Sequence, residues 1–343
     1  MLSQVEKERA ESIFELLKEA TTQQVVKDFL RDKGVHHSAA NWEHMYDTRV
    51  LPALESKKLA LSDLEALLRD VEEHGRQHIF LFQCKPEDAT KILLEHRLTQ
   101  IAIAEGLDNL LAQPTYVNMP VEPEIVDIRI NRAPNGSGIV LGLTIKIVEC
   151  RESSKLVDDD FDQNTGRRTK VWEVTKKRAV SVAHLSNEGL LEIRVASREN
   201  STKYHEQVSK LIRLINKFIP MDSFEPVSLG KSKATLHEKK DDFAGVIRYT
   251  STTATNDMGI SMNLSAANMS NNLMQNDGSA GAMREFLAKK GYVTGSNIWF
   301  IMPDDATREI HVILNGEVHE FAVTAACTPR DYSYVLGKIL SLN

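Results

Sequence analysis

The stretch Ile125-Val-Asp-Ile-Arg-Ile130, the pair Asn135-Gly136 and the apolar run from Ile139 to Cys150 decide the fold. Apolar and polar residues alternate with a period of two, the pattern of a half-buried strand. Asn-Gly suits the positive φ angles of a tight turn, which makes the three parts a hairpin. The same pattern returns at Thr169–Thr175 and Arg178–Leu185, and an Asn187-Glu-Gly189 turn leads into Leu190–Ala196. Five strands in meander are then followed by an amphipathic helix over Asn200–Ile219, with Val208, Leu211, Ile212, Ile215, Phe218 and Ile219 on its apolar side. An antiparallel sheet with one face covered by that helix is the economical arrangement.

Upstream, the period is that of helices. Ser3 with Glu6 forms a capping box ahead of Ile13, Leu16 and Leu17, and Thr21 with Gln24 opens a second helix that Gly34 ends. Ser38 is placed to cap a third, bent or ended by Pro52, and Ser62 with Glu65 repeats the box before Leu64, Leu67, Leu68 and Val71. His78-Ile-Phe-Leu-Phe82 is a short buried strand within this part. Residues 1–112 thus read as a mostly helical domain, 113–123 as a linker holding three prolines, and 124–240 as a meander-plus-helix domain. The last block, 241–343, repeats the strands-then-helix order. Its segment 254–282, rich in Asn, Ser, Met and Gly, reads as a mobile loop, in which methionines would repack against a partner. The fold class is α+β: a small N-terminal helical bundle, then antiparallel meander sheets each backed by a helix. One long sheet and two similar lobes are both compatible with the pattern.

With 343 residues the chain has room for about two domains of ~150 residues. An apolar content of 42% and only three cysteines exclude a disordered tail, a collagen and a disulfide-stapled mini-protein. The net charge of −6 is unevenly spread: residues 1–120 and 241–343 are acidic, whereas 163–240 hold 16 basic side chains against 8 acidic ones. The start, MLSQVEKERAES, lacks the basic and apolar regions of a secretory signal. No run approaches the roughly 18 uncharged apolar residues of a membrane span. Cys84, Cys150 and Cys327 lie far apart and form no zinc spacing. A cytoplasmic protein with no cofactor, no metal and no membrane partner is the expectation.

The basic block supplies the candidate binding surface. Arg167, Arg168, Lys170, Lys176, Lys177 and Arg178 flank one hairpin, and Lys203, Lys210, Arg213 and Lys217 recur on the polar side of the helix after it. Such a surface attracts phosphate backbones or acidic proteins, and Trp172, if exposed, would stack on a base. Just before the hairpin, Asp158-Asp-Asp160-Phe-Asp162 lacks the glycine and glutamate that a calcium loop requires. Gly230-Lys231-Ser232 ends like a phosphate loop, but Glu225 stands where the first glycine belongs. Weaker clusters are His36, His37 and His44, read for metal or acid–base work, the His74 and His78 pair, read for a site beside a strand end, and His311 with His319 on the two arms of a hairpin, read for a metal. No nucleophile elbow and no Cys–His spacing is present. In the order of its parts alone the chain resembles centromere proteins that bind nucleosomes, with no shared motif and no residue role implied. The leading expectation is a non-enzymatic binding or assembly protein whose basic surface engages an acidic protein partner, with self-association as a further expectation. Sequence-independent nucleic-acid binding is the alternative, and an enzyme with a lidded strand-end site is the third reading.

Overall fold

The computed structural model describes residues 2–116, 119–134, 136, 138–163, 165–197 and 204–343. Ser3 caps α1 (Gln4–Ala20): its hydroxyl accepts the Glu6 amide, and the Glu6 carboxylate accepts the Ser3 amide. After α2 (Gln23–Asp32) comes α3 (Trp42–Met45), capped by Asn41 and not by Ser38. Pro52 does not end this helix. A π-helical stretch, Tyr46–Val50, leads into α4 (Leu51–Glu55), where Pro52 sits near the start and its missing N–H is tolerated. α5 (Leu61–Glu73) is capped two residues earlier than expected, Asp63 accepting the Ala60 N–H. Ile13, Leu17, Leu30, Met45, Leu64 and Leu68 share the core of this bundle.

Gly75, at φ +78°, then turns the chain into β1 (Gly75–Gln83); a Cβ there would strike the backbone of Ala325 to Cys327. α6 (Pro86–Ile92) and α7 (Glu95–Ala104) precede the first meander: β2 (Glu124–Arg132), β3 (Val140–Asp162), β4 (Arg167–Ser186) and β5 (Leu190–Ala196). α8 (Tyr204–Ile215) crosses back over it. A two-residue β6 (Glu225–Pro226) pairs with the end of β1, and α9 (Gly230–Glu238) leads into the last third. There β7 (Ile247–Asn256), β8 (Ser261–Ser265), α10 (Asp277–Ala288), β9 (Gly291–Met302), β10 (Asp305–Leu314), β11 (Glu320–Ala326) and α11 (Pro329–Ser341) complete the chain.

All strands join one antiparallel sheet of eleven, in the order β2-β3-β4-β5-β1-β11-β10-β9-β7-β8 with β6 beside β1. Alternation along β1 divides the interior. Phe80 and Phe82 enter a core shared with α6, α7 and α8, whereas Ile79 and Leu81 enter another shared with α9 and α11. The two helix-backed meanders therefore lie on either side of β1 with their helices on opposite faces, like objects related by a two-fold axis along that strand. The α+β class, the helical start and the helix backing of each meander are as the sequence indicates.

Three details differ. The two β-rich blocks form a single sheet whose centre, β1, comes from residues 1–112. The first meander has four strands, because the pieces read as Thr169–Thr175 and Arg178–Leu185 are one strand, and the run ending at Cys150 continues to Asp162. Finally, 254–282 is not a structureless loop: β8 pairs with β7, and α10 begins at Asp277. Asn135, and the expected helix start at Asn200 with Lys203, fall outside the described residues. Among the described residues no helix is long and apolar enough to cross a membrane.

Candidate functional site

β2 stops pairing with β3 where Glu124 meets Val148, and β5 pairs with β4 only up to Val182. Beyond those points, among the described residues, β3 and β4 pair with no other strand, although the Cys150 N–H still donates to the Pro120 carbonyl. The register continues from Cys150 opposite Arg178 to Asp162 opposite Arg167, a two-stranded arm about 40 Å long at ~3.3 Å per residue. From Glu152 to Phe161 and from Thr165 to Lys177 every residue is exposed. An isolated ribbon has no core of its own and is marginal in water. This one nevertheless carries large apolar groups: Trp172 is 51% exposed, Phe161 and Val174 56%, and Leu156 37%. Leu156 lies opposite Trp172 and Ser154 opposite Val174, which puts Leu156, Trp172 and Val174 on one face of the ribbon.

The charges on the arm are sorted by strand. Arg167 to Lys177 on β4 hold five basic residues and one acidic, whereas Arg151 to Asp162 on β3 hold two basic and five acidic. Cross-strand pairing therefore neutralises much of the expected basic surface. Arg168 donates to both carboxylate oxygens of Asp159 at 2.6 Å, and Lys176 pairs with Glu152 at 2.9 Å. The Glu152 carboxylate holds the Lys176 ammonium above its usual value.

The other expected surface residues are dispersed. Arg167, Lys170 and Trp172 stand on the outer arm, Lys177 at its base. Arg178 is turned inward, its side chain only 6% exposed, and pairs with Glu72. Lys210 meets Lys177 and Arg151 across a cleft of about 580 Å³ at the arm's base, with Glu149 and Glu152 in the same wall. Arg213 is exposed on α8, and Lys217 is held at 2.6 Å by Glu105. Six of the ten residues thus cluster on the arm, Lys210 and Arg213 belong to α8, Lys217 follows that helix, and Arg178 belongs to the interior.

That interior was not anticipated. On the face of the first meander away from α8, alternate positions hold Asp127, Arg129, Lys146, Arg178, Glu192 and Arg194, which by period alone read as a solvated face. The end of α5 covers them. Lys146 lies 2.5 Å from Glu72, Arg129 lies 2.6 Å from Glu73 and 3.3 Å from Asp127, and Arg194 donates to the Glu73 carbonyl at 3.2 Å. Arg194 also sits 4.2 Å from the ring of Tyr332, whose hydroxyl donates to Glu192. Burial raises the Glu73 carboxyl, but Lys146 and Arg129 more than offset it and leave it below the usual range. Burial also drives His74 beside this layer down to about 4. The layer binds the bundle to the sheet, and its groups are occupied with one another.

The remaining candidates disperse. His311 faces Thr324, to which it bonds at 2.8 Å, while His319 packs on Phe80 and Phe82, so the two are not cross-strand neighbours. His78 stacks on Tyr204 and bonds to Glu320 at 2.5 Å, whereas His74 packs on Tyr332. His44 accepts the Ala40 N–H in a helix-end turn. Ser232 is buried, its hydroxyl donating to the Ile339 carbonyl. Among the described residues no group of three or more His, Cys, Asp or Glu side chains is placed to hold a metal. A second cleft, about 770 Å³, lies between the bundle and the arm's base, lined by Glu19, Val25, His74, Arg76 and Lys176. What this arrangement offers chemically is an exposed ribbon on which Leu156, Trp172 and Val174 share one face with the Arg168–Asp159 and Lys176–Glu152 pairs. Compared with known proteins, the chain matches no family model and no curated protein.

Proposed function

We propose that the protein is a non-enzymatic binding or assembly protein, and that the β3–β4 arm is the element with which it engages a protein partner. One observation carries this reading: Leu156, Phe161, Trp172 and Val174 are held in water on a ribbon that contributes nothing to either core. Exposed aromatic and aliphatic groups ringed by charge are the makings of an interface centre and its rim. The basic β4 edge is matched to an acidic protein surface, which would contact Arg167, Lys170 and Lys177 while the apolar groups are covered. Free thiols at Cys84, Cys150 and Cys327 support a reducing compartment, the cytosol.

Nucleic acid is the second reading, favoured by the five basic residues of the β4 edge and by exposed Trp172. The acidic β3 edge one strand away weighs against it, since a phosphate backbone would meet both. A photo-crosslinking residue at position 172 separates the two. The expected result is a cross-link to protein that is lost in the competing presence of excess unlabelled chain but not of Trp172→Ala chain. Cross-linking to nucleic acid, with affinity for a generic duplex that falls steeply with salt and vanishes on reversing Arg167, Arg168 and Lys170, would overturn it.

A further inference from the structure

Resting on the reading that the arm is a binding element, we propose that its β3 edge, opposite the basic β4 edge, pairs with a second copy of this chain. The outer edges of two β3 arms pair antiparallel about a two-fold axis between Leu156 and Val157. From Arg151 outward that edge adjoins no strand among the described residues, and an extended open edge is a template for another strand.

Direction follows from the shape of the fold. Two arms side by side and pointing the same way would hold their bodies about 10 Å apart, the width of two strands. At the base of the arm the sheet continues on the β3 side through β2 and on the β4 side through β5, β1 and β11, so bodies placed beside one another along either edge would overlap. The arms therefore point in opposite directions, and antiparallel pairing joins either β4 to β4 or β3 to β3. The first sets a basic edge against its own copy and is repelled. The second is favourable, because β3 carries Lys155 before its midpoint and Asp158-Asp-Asp160 after it. Reversed against itself, it brings opposite signs together.

The bulge fixes the register. Residues opposed across a two-fold must share a face, and in a regular strand Lys155 and Asp158, three apart, would not. Val157 is the extra residue. Lys155 lies opposite Glu173 and Asp158 opposite Val171, two positions that share a face of β4. Lys155 and Asp158 consequently share a face too, as do Ser154 with Asp159 and Ser153 with Asp160. Each of these pairs then meets across the axis, Leu156 lies beside the second copy's Val157, and no like charges are directly opposed. The apolar strip of Trp172 and Leu156 continues from one arm into the other.

Sedimentation of the full-length chain tests this. The wild-type chain is expected to dimerise. Lys155→Asp alone and Asp158→Lys alone each set like charges at both symmetric positions and should weaken dimerisation about tenfold. Mixed together, the two variants should form a heterodimer, and Lys155→Asp with Asp158→Lys in one chain should restore the homodimer. Both positions are exposed, so circular dichroism should show each variant folded. A monomeric wild-type chain, a dimer indifferent to the single changes, or a mixture that fails to recombine would each overturn the pairing. A monomer whose position 172 still cross-links to another protein would remove the pairing alone and leave the arm's binding role standing. Loss of both would remove both.

Discussion

Glu72 and Glu73 end α5 with two carboxylates at the pole of a helix where its dipole disfavours negative charge. Their partners make that position tenable: Lys146, Arg129 and Arg178 reach them from three adjacent strands. Lys146→Met is close in volume but leaves Glu72 buried against Arg178 alone. Breaking a buried pair from one side costs about 3 kcal/mol, which should appear as a lower urea midpoint with an unchanged slope. Acid acts on the same region. Burial drives His74 and His237 down to about 4, so both are neutral in the folded chain, while unfolding returns them to the usual value near 6.5. A folded pKa below the unfolded one means that the unfolded state takes the proton first. Stability is therefore full above pH 6.5 and falls as pH drops from there toward about 4. Denaturation midpoints across that range should show the decline, and replacing both histidines by Gln should lessen it, the remainder coming from His184, His311 and His319, which burial also lowers.

Among the elements, the helices were the most legible. Ser3 with Glu6 obeys a local capping rule that needs no tertiary knowledge. The outer arm was legible only in part. Thr169–Thr175 showed its alternation, but nine of the twelve residues from Arg151 to Asp162 are polar or charged, and Leu156, Val157 and Phe161 do not alternate among them. Its extended form comes from pairing with β4 residue by residue, and no single-strand pattern encodes that. The charged layer under α5 was not legible for the converse reason: alternation marks which residues share a face and is silent on whether water or a helix covers it. Because the arm supports no core, its removal should be harmless to the body. Joining Ser153 to Thr175 through a two-residue Asn-Gly turn keeps the hairpin register. The shortened chain should melt within a few degrees of the parent while losing partner binding. A large drop in melting temperature would mean that the arm is structural.

At the scale of the whole molecule, the position of β1 governs what is separable. The linker at 113–123 invites a cut into a helical part and a β-rich part, yet β1 lies before the linker and at the middle of the sheet. It is the strand on which both meanders close, β5 on one side and β11 on the other. It also feeds both interiors, Phe80 and Phe82 on one face, Ile79 and Leu81 on the other. Burying each such side chain is worth about 1.5–3 kcal/mol, and together they rival the ~5–15 kcal/mol by which a domain is stable at all. A fragment of residues 113–343 also leaves the facing edges of β5 and β11 open and Lys146, Arg129 and Arg178 without their carboxylates. It should therefore fail to fold, giving no cooperative unfolding transition and collecting as aggregate. Co-expression with residues 1–112 supplies β1 and the end of α5 in trans, and the two pieces should then co-purify and unfold together. A 113–343 fragment that melts cooperatively by itself would show that β5 and β11 close on each other without β1, and the sheet would then be two units held together by a strand.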